Sequence, residues 1–426
     1  MEQNDSSQPQ KDESSNFFIK KAEGGTLPDF MARVGVCKLF HDFSNNDLAP
    51  KGAHFHDRND FIEQYMRVNN ETVFRGNGID SQLVPISSEM FETIMGDYVK
   101  TSCGYWPELE WHPVNEKPST SLYRDVVTGT SGMTREFEKN KSIRQSLTQA
   151  EINMIRVTLA RAEVRERQNV LDLGCGWGST AIYALENLTQ VKIVAVATTQ
   201  AQAEYVKKVA QRKKVNDRIL VIQCDITQFN SSQYKKQVKE FLGKEKFDRI
   251  YSNENFEYVR NWENLLNKLQ EEWLETEGKI LINFVAHKSN SYIQDQTTWM
   301  GKHFLKGKIV PEHSIIKSLD KVIGKSLEPE AEYKVNGRHY SKTAEAWLML
   351  LDSEKARIIK LLEQAYGKEQ AKLWFNRWRV YFLMLSEAFR MREGTEWFVS
   401  HYLLKRFKPG EKKEEKEKEK ENTAEP

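Results

Sequence analysis

The residues best placed to do chemistry lie in one segment, where an apolar run ends in an acid and three glycines. The segment reads Val170-Leu-Asp-Leu-Gly-Cys-Gly-Trp-Gly-Ser179, which predicts a strand ending at Asp172, a turn and a helix start. Glycine takes backbone angles that other residues resist and lets the chain pass close to a ligand. A helix N-terminus offers free N–H groups to an acidic group. Dinucleotide sites use Gly-x-Gly-x-x-Gly, but here the glycines are Gly174, Gly176 and Gly178, which argues against NAD.

A turn with this spacing is typical of proteins that bind S-adenosylmethionine (SAM), and Asp172 would accept from the ligand ammonium or from a backbone N–H. Ligands of parallel sheets lie beyond the carboxyl ends of the strands, so polar residues after the next two strands are further candidates. Thr199 and Gln202 would contact the ribose, although Thr199 also suits a helix cap. Asp225 would accept from the adenine amino group, although an aspartate there also suits a turn.

Two acids three residues apart are the candidates for proton transfer. Glu254 and Glu257 follow the fourth predicted strand, and on a helical turn both would face one pocket. Burial would raise their pKa and suit one as a general base toward an amine, which accepts a methyl group only when it is unprotonated. The alternative is a solvated strand end.

Aromatic residues recur at helical spacing in the C-terminal part of the chain, at Trp374, Trp378, Tyr381 and Phe382. Core packing is the common use of such a stripe. The other use is a wall that stacks on a flat ring or holds a cation. We expect Trp374 and Phe382 in the core and Trp378 and Tyr381 at the acceptor.

Alternating strands and helices must position these residues. Strands are predicted over 169–173, 191–196, 219–223, 247–251, 279–284 and 396–405, and helices over 179–188, 200–213 and 262–274. This alternation predicts right-handed crossovers and a mainly parallel sheet.

The 426 residues divide into segments of different composition. We expect a disordered N-terminus over 1–25, a helical region over 26–146 with an insertion at 107–141, a main domain over 147–408 with a helical cap at 286–395, and a disordered charged tail over 409–426.

Composition excludes several classes of function. Lys plus Arg number 63 and Asp plus Glu 61, so nothing favours nucleic acid as a partner. The four cysteines form no metal-binding pair and no disulfide framework, which favours the reducing cytoplasm and no metal. No apolar run is long enough to cross a membrane, although peripheral contact stays open. Oligomeric state is not indicated.

The ordered motifs resemble the cyclopropane fatty acid synthase and coclaurine N-methyltransferase family over about residues 85–405, and the second half is most similar to the coclaurine N-methyltransferase branch. The matching segments are Tyr98–Trp106, Val170–Ser179, Ser252–Tyr258, Asn336–Thr343 with Trp347, Arg377–Tyr381 and Glu393–Trp397. The resemblance implies an α/β, Rossmann-like SAM-dependent methyltransferase fold. Its mainly parallel seven-stranded sheet would carry helical N-terminal and cap additions.

The resemblance also implies roles for single residues. Cys103, Gly104 and Tyr105 would close over the methionine end of the cofactor. His287 and Tyr340 match positions that face a bicarbonate site in the lipid-acting branch. The ribose-side, adenine-side, acidic and aromatic candidates above match the family in the same way.

One residue departs from the family pattern. The family has Glu-His where this chain has Glu257-Tyr258. Tyrosine titrates near pH 10, so Tyr258 is a poorer base than histidine, though it still forms hydrogen bonds.

Three functions therefore stay open. The first is methyl transfer from SAM to the nitrogen of a small amine. The second is a lipid-acting C-methyltransferase of the cyclopropane type, in which Cys103, Glu257, His287 and Tyr340 would bind bicarbonate. The third is a non-catalytic subunit that keeps the fold.

Overall fold

One seven-stranded sheet forms the centre of the computed structural model, which describes residues 18–44, 58–67, 86–109, 142–294 and 298–408. Its strands are β1 (Asn169–Leu173), β2 (Lys192–Ala197), β3 (Ile219–Gln223), β4 (Phe247–Asn253), β5 (Leu274–His287), β8 (Leu327–Val335) and β9 (Trp397–Arg406). The order is β3-β2-β1-β4-β5-β9-β8. Strands β1 to β5 pair in parallel, and β9 is antiparallel to β5 and β8. The predicted mainly parallel α/β sheet is confirmed.

Helices cover both faces of this sheet. They are α1 (Asp29–Ser44), α2 (Ser88–Ile94), α3 (Ile143–Arg161), α4 (Ser179–Asn187), α5 (Gln200–Arg212), α6 (Ser232–Leu242), α7 (Trp262–Lys268), α8 (Trp299–His303), α9 (Gly337–Ser353), α10 (Lys355–Tyr366) and α11 (Lys368–Gly394). A short helix over Arg58–Phe61 continues as a π-helix over Ile62–Met66, and a second π-helix, Leu269–Trp273, links α7 to β5. Neighbouring strand residues pack into different cores, because successive side chains point to opposite faces. Within the described residues, no helix is long and apolar enough to cross a membrane.

Strand β8 lies inside the 286–395 segment that was predicted to be a helical cap. The same segment holds a two-stranded pair formed by β6 (Tyr292–Ile293) and β7 (Ile309–Val310). Helices α9, α10 and α11, which we call the cap, also lie in this segment. Strand β8 was not predicted. It is an edge strand rich in charged residues, and Pro329 lies at a register shift within it.

The N-terminal prediction is wrong for residues 18–25. Residues 18–23 are helical, and the side chain of Phe18 lies against Gly35 of α1. Glu23 accepts hydrogen bonds from Trp299 Nε1 and Arg377 Nε, each over 3.0 Å. This helix is therefore packed on the cap. The predictions for residues 1–17, 110–141 and 409–426 lie outside the described residues.

Helix α1 is fixed to the cap by buried charges. Arg33 donates to Glu345 of α9 over 2.6 Å and to Glu387 of α11 over 2.8 Å. The side chains of both acids are at most 4% exposed. One guanidinium thus joins three helices.

Candidate active site

The glycine turn after β1 takes the backbone shape that its sequence predicts. Gly174, Gly176 and Gly178 have φ of +84°, +54° and +81°. A Cβ on Gly174 would lie 2.5 Å from Asn255, and one on Gly178 would lie 2.8 Å from Val206. A Cβ on Gly176 would meet nothing within 4 Å. Two of the glycines therefore allow tight packing, whereas Gly176 borders open space that suits a ligand.

Asp172 presents an unsatisfied acceptor at this turn. Its side chain is buried, and Oδ2 accepts from the Tyr251 hydroxyl over 3.1 Å. Its Oδ1 is buried without a hydrogen-bond partner. Burial raises the pKa of Asp172 to about 7, although the Tyr251 hydrogen bond opposes the rise. A buried carboxylate with a spare oxygen fits the ammonium group of SAM.

The three candidates after β2 and β3 make local hydrogen bonds. Thr199 caps α5 by accepting from the backbone N–H of Gln202 over 3.3 Å. Gln202 Oε1 accepts from Thr198 Oγ1 over 3.1 Å. Asp225 Oδ1 accepts from the N–H and hydroxyl of Thr227 over 2.9 and 2.7 Å. The capping and turn roles are both present, and the ribose and adenine contacts stay predictions.

A buried acid shapes the segment that leads to Cys103. Glu151 accepts from the backbone N–H groups of Gly96, Tyr98 and Lys100 over 2.8, 3.1 and 3.3 Å. Within this turn Val99 has φ of +51°, which a β-branched residue rarely adopts. Such strain persists only where the surroundings impose it, and it concentrates at functional sites.

The segment then places Cys103 against the first acid. The backbone N–H of Cys103 donates to Glu254 Oε1 over 3.0 Å. Gly104 N donates to Thr343 Oγ1 over 3.1 Å, and the Tyr105 ring stacks on His339 at 4.6 Å. Burial and then Glu254 raise the pKa of the Cys103 thiol, which is therefore protonated at neutral pH.

Glu254 is held on several sides. Its φ is +52°, the second strained position at the site. Its backbone N–H donates to the carbonyl and side-chain oxygens of Asn283, each over 2.9 Å. Its Oε2 accepts from the Tyr340 hydroxyl over 3.1 Å. Cys103 and Tyr340 thus meet at one carboxylate.

Glu257 lies beside Glu254 and is fully buried. Its Oε1 accepts from Val285 N over 2.8 Å, and its Oε2 has no hydrogen-bond partner. Burial raises the pKa of Glu257 and Glu254 adds to the rise, while Lys308 opposes it. The sequence predicted that burial raises the pKa of both acids, and the rise is found for Glu257.

Lys308 is a member of the site that the sequence did not indicate. Its Nζ lies 3.5 Å from Glu257 Oε1 and 5.4 Å from the centre of the Tyr258 ring. Burial alone would lower its pKa, but Glu257 and Glu254 outweigh burial and raise it. A single lysine in a polar stretch of sequence predicts a surface residue. Pairing of β6 with β7 places Lys308 in the interior instead.

Several aromatic rings pack together near these charges. Tyr381 stacks on Phe304 at 4.3 Å with a 9° angle, and Trp378 meets Phe304 edge-on at 5.0 Å. The Nε1 of Trp378 is buried without a partner. Trp374 and Phe382 are buried as expected, with Trp374 stacked on Tyr366 at 4.4 Å. The wall role of Trp378 and Tyr381 stays a prediction.

The structure does not bring His287 into this group through its ring nitrogens. Its Nε2 lies 3.2 Å from Glu396 Oε1. Its Nδ1 accepts from the backbone N–H groups of Ser289 and Asn290 over 3.2 and 2.9 Å. Nδ1 therefore supports the turn after β5, and Nε2 contacts the acid that precedes β9.

Known proteins are similar to this chain in sequence and in fold. The (S)-coclaurine N-methyltransferase of Papaver somniferum is 26% identical over 301 residues, or 69% of this chain and 76% of that one. A crystal structure of coclaurine N-methyltransferase bound to N-methylheliamine and S-adenosylhomocysteine (SAH) matches with a TM-score of 0.70 and 24% identity. That match covers 92% of this chain and 99% of that one. A cyclopropane synthase from Mycobacterium tuberculosis matches with a TM-score of 0.54 and 16% identity, over 79% and 99% of the two chains.

The sheet order, the glycine turn and these relatives define a SAM-dependent methyltransferase. The family model of mycolic acid cyclopropane synthetase matches residues 84–396. The chain belongs to that family, and the resemblance drawn from its sequence is confirmed.

Proposed function

We propose that this protein transfers a methyl group from SAM to the nitrogen of a small amine. The observation that carries the proposal is the position of Glu254, whose carboxylate lies between the Cys103 segment and the Tyr340 hydroxyl. The aromatic rings of Tyr381 and Phe304 stack in the same region. An acid beside an aromatic wall suits an organic amine, which needs a proton acceptor and an apolar surface.

Each residue of the candidate site would have its own role in methyl transfer. SAM supplies a methyl group on a sulfonium, and transfer requires an in-line nucleophile, so positioning provides much of the rate. Asp172 would hold the ammonium of the cofactor, and Gly176 leaves room beside it. Glu254 would accept the proton that the amine must lose, at the oxygen not shared with Tyr340. Tyr340 and the Cys103 N–H would hold that carboxylate in place.

A lipid acceptor is less well supported. A lipid-acting enzyme of the cyclopropane type would need four side chains to converge on bicarbonate, those of Cys103, Glu257, His287 and Tyr340. The ring nitrogens of His287 are engaged by Glu396, Ser289 and Asn290, and Tyr340 donates to Glu254. We therefore propose an amine as the methyl acceptor.

A cytoplasmic location remains a proposal that rests on the cysteine pattern.

The test is a methyl-transfer assay with the full-length protein, SAM and a set of primary and secondary amines, read as SAH release and product mass. Glu254→Gln should lower kcat at least a hundredfold while SAM affinity stays unchanged, since the amide cannot take a proton. The control is Glu328→Gln on edge strand β8, where Glu328 pairs with Lys405. Methylation of unsaturated phospholipid vesicles that depends on bicarbonate, with no amine methylated, would contradict the proposal.

A further inference from the structure

The backbone of Glu254 takes a shape that its own residue type resists. Its φ is +52°, in the left-handed region that favours glycine. Its N–H donates both to the main-chain carbonyl of Asn283 and to the side-chain Oδ1 of the same residue, each over 2.9 Å. Such a conformation persists only where the surroundings impose it. Asn283 supplies both of the acceptors that hold the N–H of this strained residue.

Asn283 also belongs to a chain of side-chain amides that leads to the cofactor turn. Asn253 and Asn283 are register partners on the parallel strands β4 and β5, so their side chains point to the same face of the sheet. Asn283 Nδ2 donates to Asn253 Oδ1 over 2.7 Å, and Asn253 Nδ2 donates to Thr180 Oγ1 over 3.3 Å. Thr180 lies in the first turn of α4, which begins directly after the last glycine of the turn. The chain therefore joins the N–H of Glu254 to this helix.

The amide chain has one direction. A side-chain amide has an acceptor end and a donor end. The acceptor end of Asn283 faces the N–H of Glu254, so its donor end is turned to Asn253. Asn283 is 4% exposed and Thr180 is 2% exposed, so both ends of the chain are shielded from water. An apolar side chain at position 283 would break both links of Asn283 at once.

A second link joins the same segment to the glycine turn. Asn255 Nδ2 donates to Gly174 O over 2.7 Å and to Asn253 O over 2.8 Å. A Cβ on Gly174 would lie 2.5 Å from the side chain of Asn255, so the turn and the segment pack closely. The residues on both sides of Glu254 are therefore bound to the turn or to the helix that follows it.

We propose that Asn283 is a positioning residue, which fixes the candidate base Glu254 relative to the cofactor turn through Asn253 and Thr180. The inference rests on the proposed function, in which Glu254 accepts the proton that the amine loses. The amide of Asn283 neither gains nor loses a proton. A small displacement of a reacting group costs a large factor in rate, so loss of the chain should lower kcat more than it weakens binding.

The test compares the full-length wild type with Asn283→Ala, Asn253→Ala and the double variant in the amine methyl-transfer assay. Each single variant should lower kcat by about tenfold or more, while KM for the amine and the calorimetric affinity for SAM stay within about threefold. Because the two amides act as one chain, the double variant should lose no more than about threefold beyond the worse single variant. If Asn283→Ala does not fold, Asn283→Ser takes its place.

A control variant and a second measurement separate positioning from general stability. Asn267→Ala is the matched control, because Asn267 also accepts from a side chain, the Ser326 hydroxyl, over 3.1 Å beside the start of β8. It should keep kcat within about twofold of wild type. Hydrogen exchange of the backbone over 252–258 should rise by about threefold or more in Asn283→Ala and stay unchanged in Asn267→Ala.

The outcomes distinguish this inference from the proposed function. A kcat of Asn283→Ala within threefold of wild type, or single losses that multiply in the double variant, overturns the role of Asn283. Unchanged exchange over 252–258 overturns it as well. Exchange that rises in Asn283→Ala, while the wild type methylates no amine, overturns the proposed function and leaves the link between Asn283 and Glu254 standing.

Discussion

The Tyr340 hydroxyl donates to Glu254 Oε2 over 3.1 Å and so ties the first turn of cap helix α9 to the end of strand β4. The ring of Tyr340 is itself fixed, because it stacks on Phe389 at 4.3 Å. The cap thereby determines how the candidate base is oriented.

Tyr340→Phe should lower kcat/KM tenfold to a hundredfold, because the ring stays packed while Glu254 loses the donor that positions it. SAM affinity should stay within twofold. Tyr402→Phe is a matched control, since its hydroxyl donates to a backbone carbonyl, His313 O, over 2.9 Å. Equal losses of kcat/KM in the two variants would show that Tyr340 acts through stability alone.

Asp172 should make cofactor binding depend on pH. Its pKa is raised to about 7 by burial, so the free protein holds a proton there in acid. Binding of the SAM ammonium requires the carboxylate and releases that proton. The association constant should therefore rise as pH rises from 5.5 to 7, by up to tenfold per pH unit. Calorimetric titrations with SAM across this range measure the slope.

The folding stability of the cofactor-free protein should depend on pH in the opposite direction from SAM binding. A carboxyl whose pKa is raised in the folded state favours folding most when it is protonated, so its contribution falls as pH rises through about 7 in the cofactor-free protein. Asp172→Asn should bind SAM weakly with little pH dependence below 7. A wild-type affinity that is flat from pH 5.5 to 7 would contradict the ammonium contact.

Gly176→Ala should weaken SAM binding more than it destabilises the fold. The new methyl group meets no protein atom within 4 Å, so the fold loses only about 1 kcal/mol through the positive φ. The methyl would instead enter the space beside the turn. Gly243→Ala is matched in strain, with φ of +79° and nothing within 4 Å, and it caps α6. SAM affinities equal in the two variants would show that no ligand lies against Gly176.

Glu151→Gln should destabilise the protein by about 1–3 kcal/mol, because the amide nitrogen would face backbone donors that a buried carboxylate now satisfies. Denaturant unfolding measures this loss. Glu166→Gln serves for comparison, since the exposed Glu166 also accepts from backbone N–H groups, those of Thr189 and Gln190. A loss no larger than that of the control would mean that water replaces the carboxylate.

The central sheet and the cofactor turn could be predicted because their signals are local. Strands β1 and β3 begin and end at the predicted residues, since buried parallel strands read as short apolar runs between turns. Strand β8 has no such apolar run. Its apolar residues alternate with Glu and Lys residues, a period-two pattern that suits an edge strand and that was missed. Strand β5 extends to His287, beyond the predicted end at 284, where antiparallel pairing with β9 continues.

The candidate site was predictable only in part. Glu254, Glu257 and Tyr340 came from motifs, and the structure brings Glu254 and Tyr340 together. Lys308 depends on chain folding that no local pattern contains, because β7 must return beside Glu257. His287 shows the converse, since its place in a motif did not reveal that its ring supports a backbone turn.

The three-helix contact of Arg33 sets a lower limit on the part of the chain that can work. A fragment starting at residue 86 would retain all seven strands of the sheet, yet Glu345 and Glu387 would lose Arg33 as a charge partner. Removing one side of a buried ion pair costs about 3–5 kcal/mol, which is a large share of the stability of an ordinary domain. A chain that begins after Arg33 should therefore unfold more readily, although every strand of its sheet is still present.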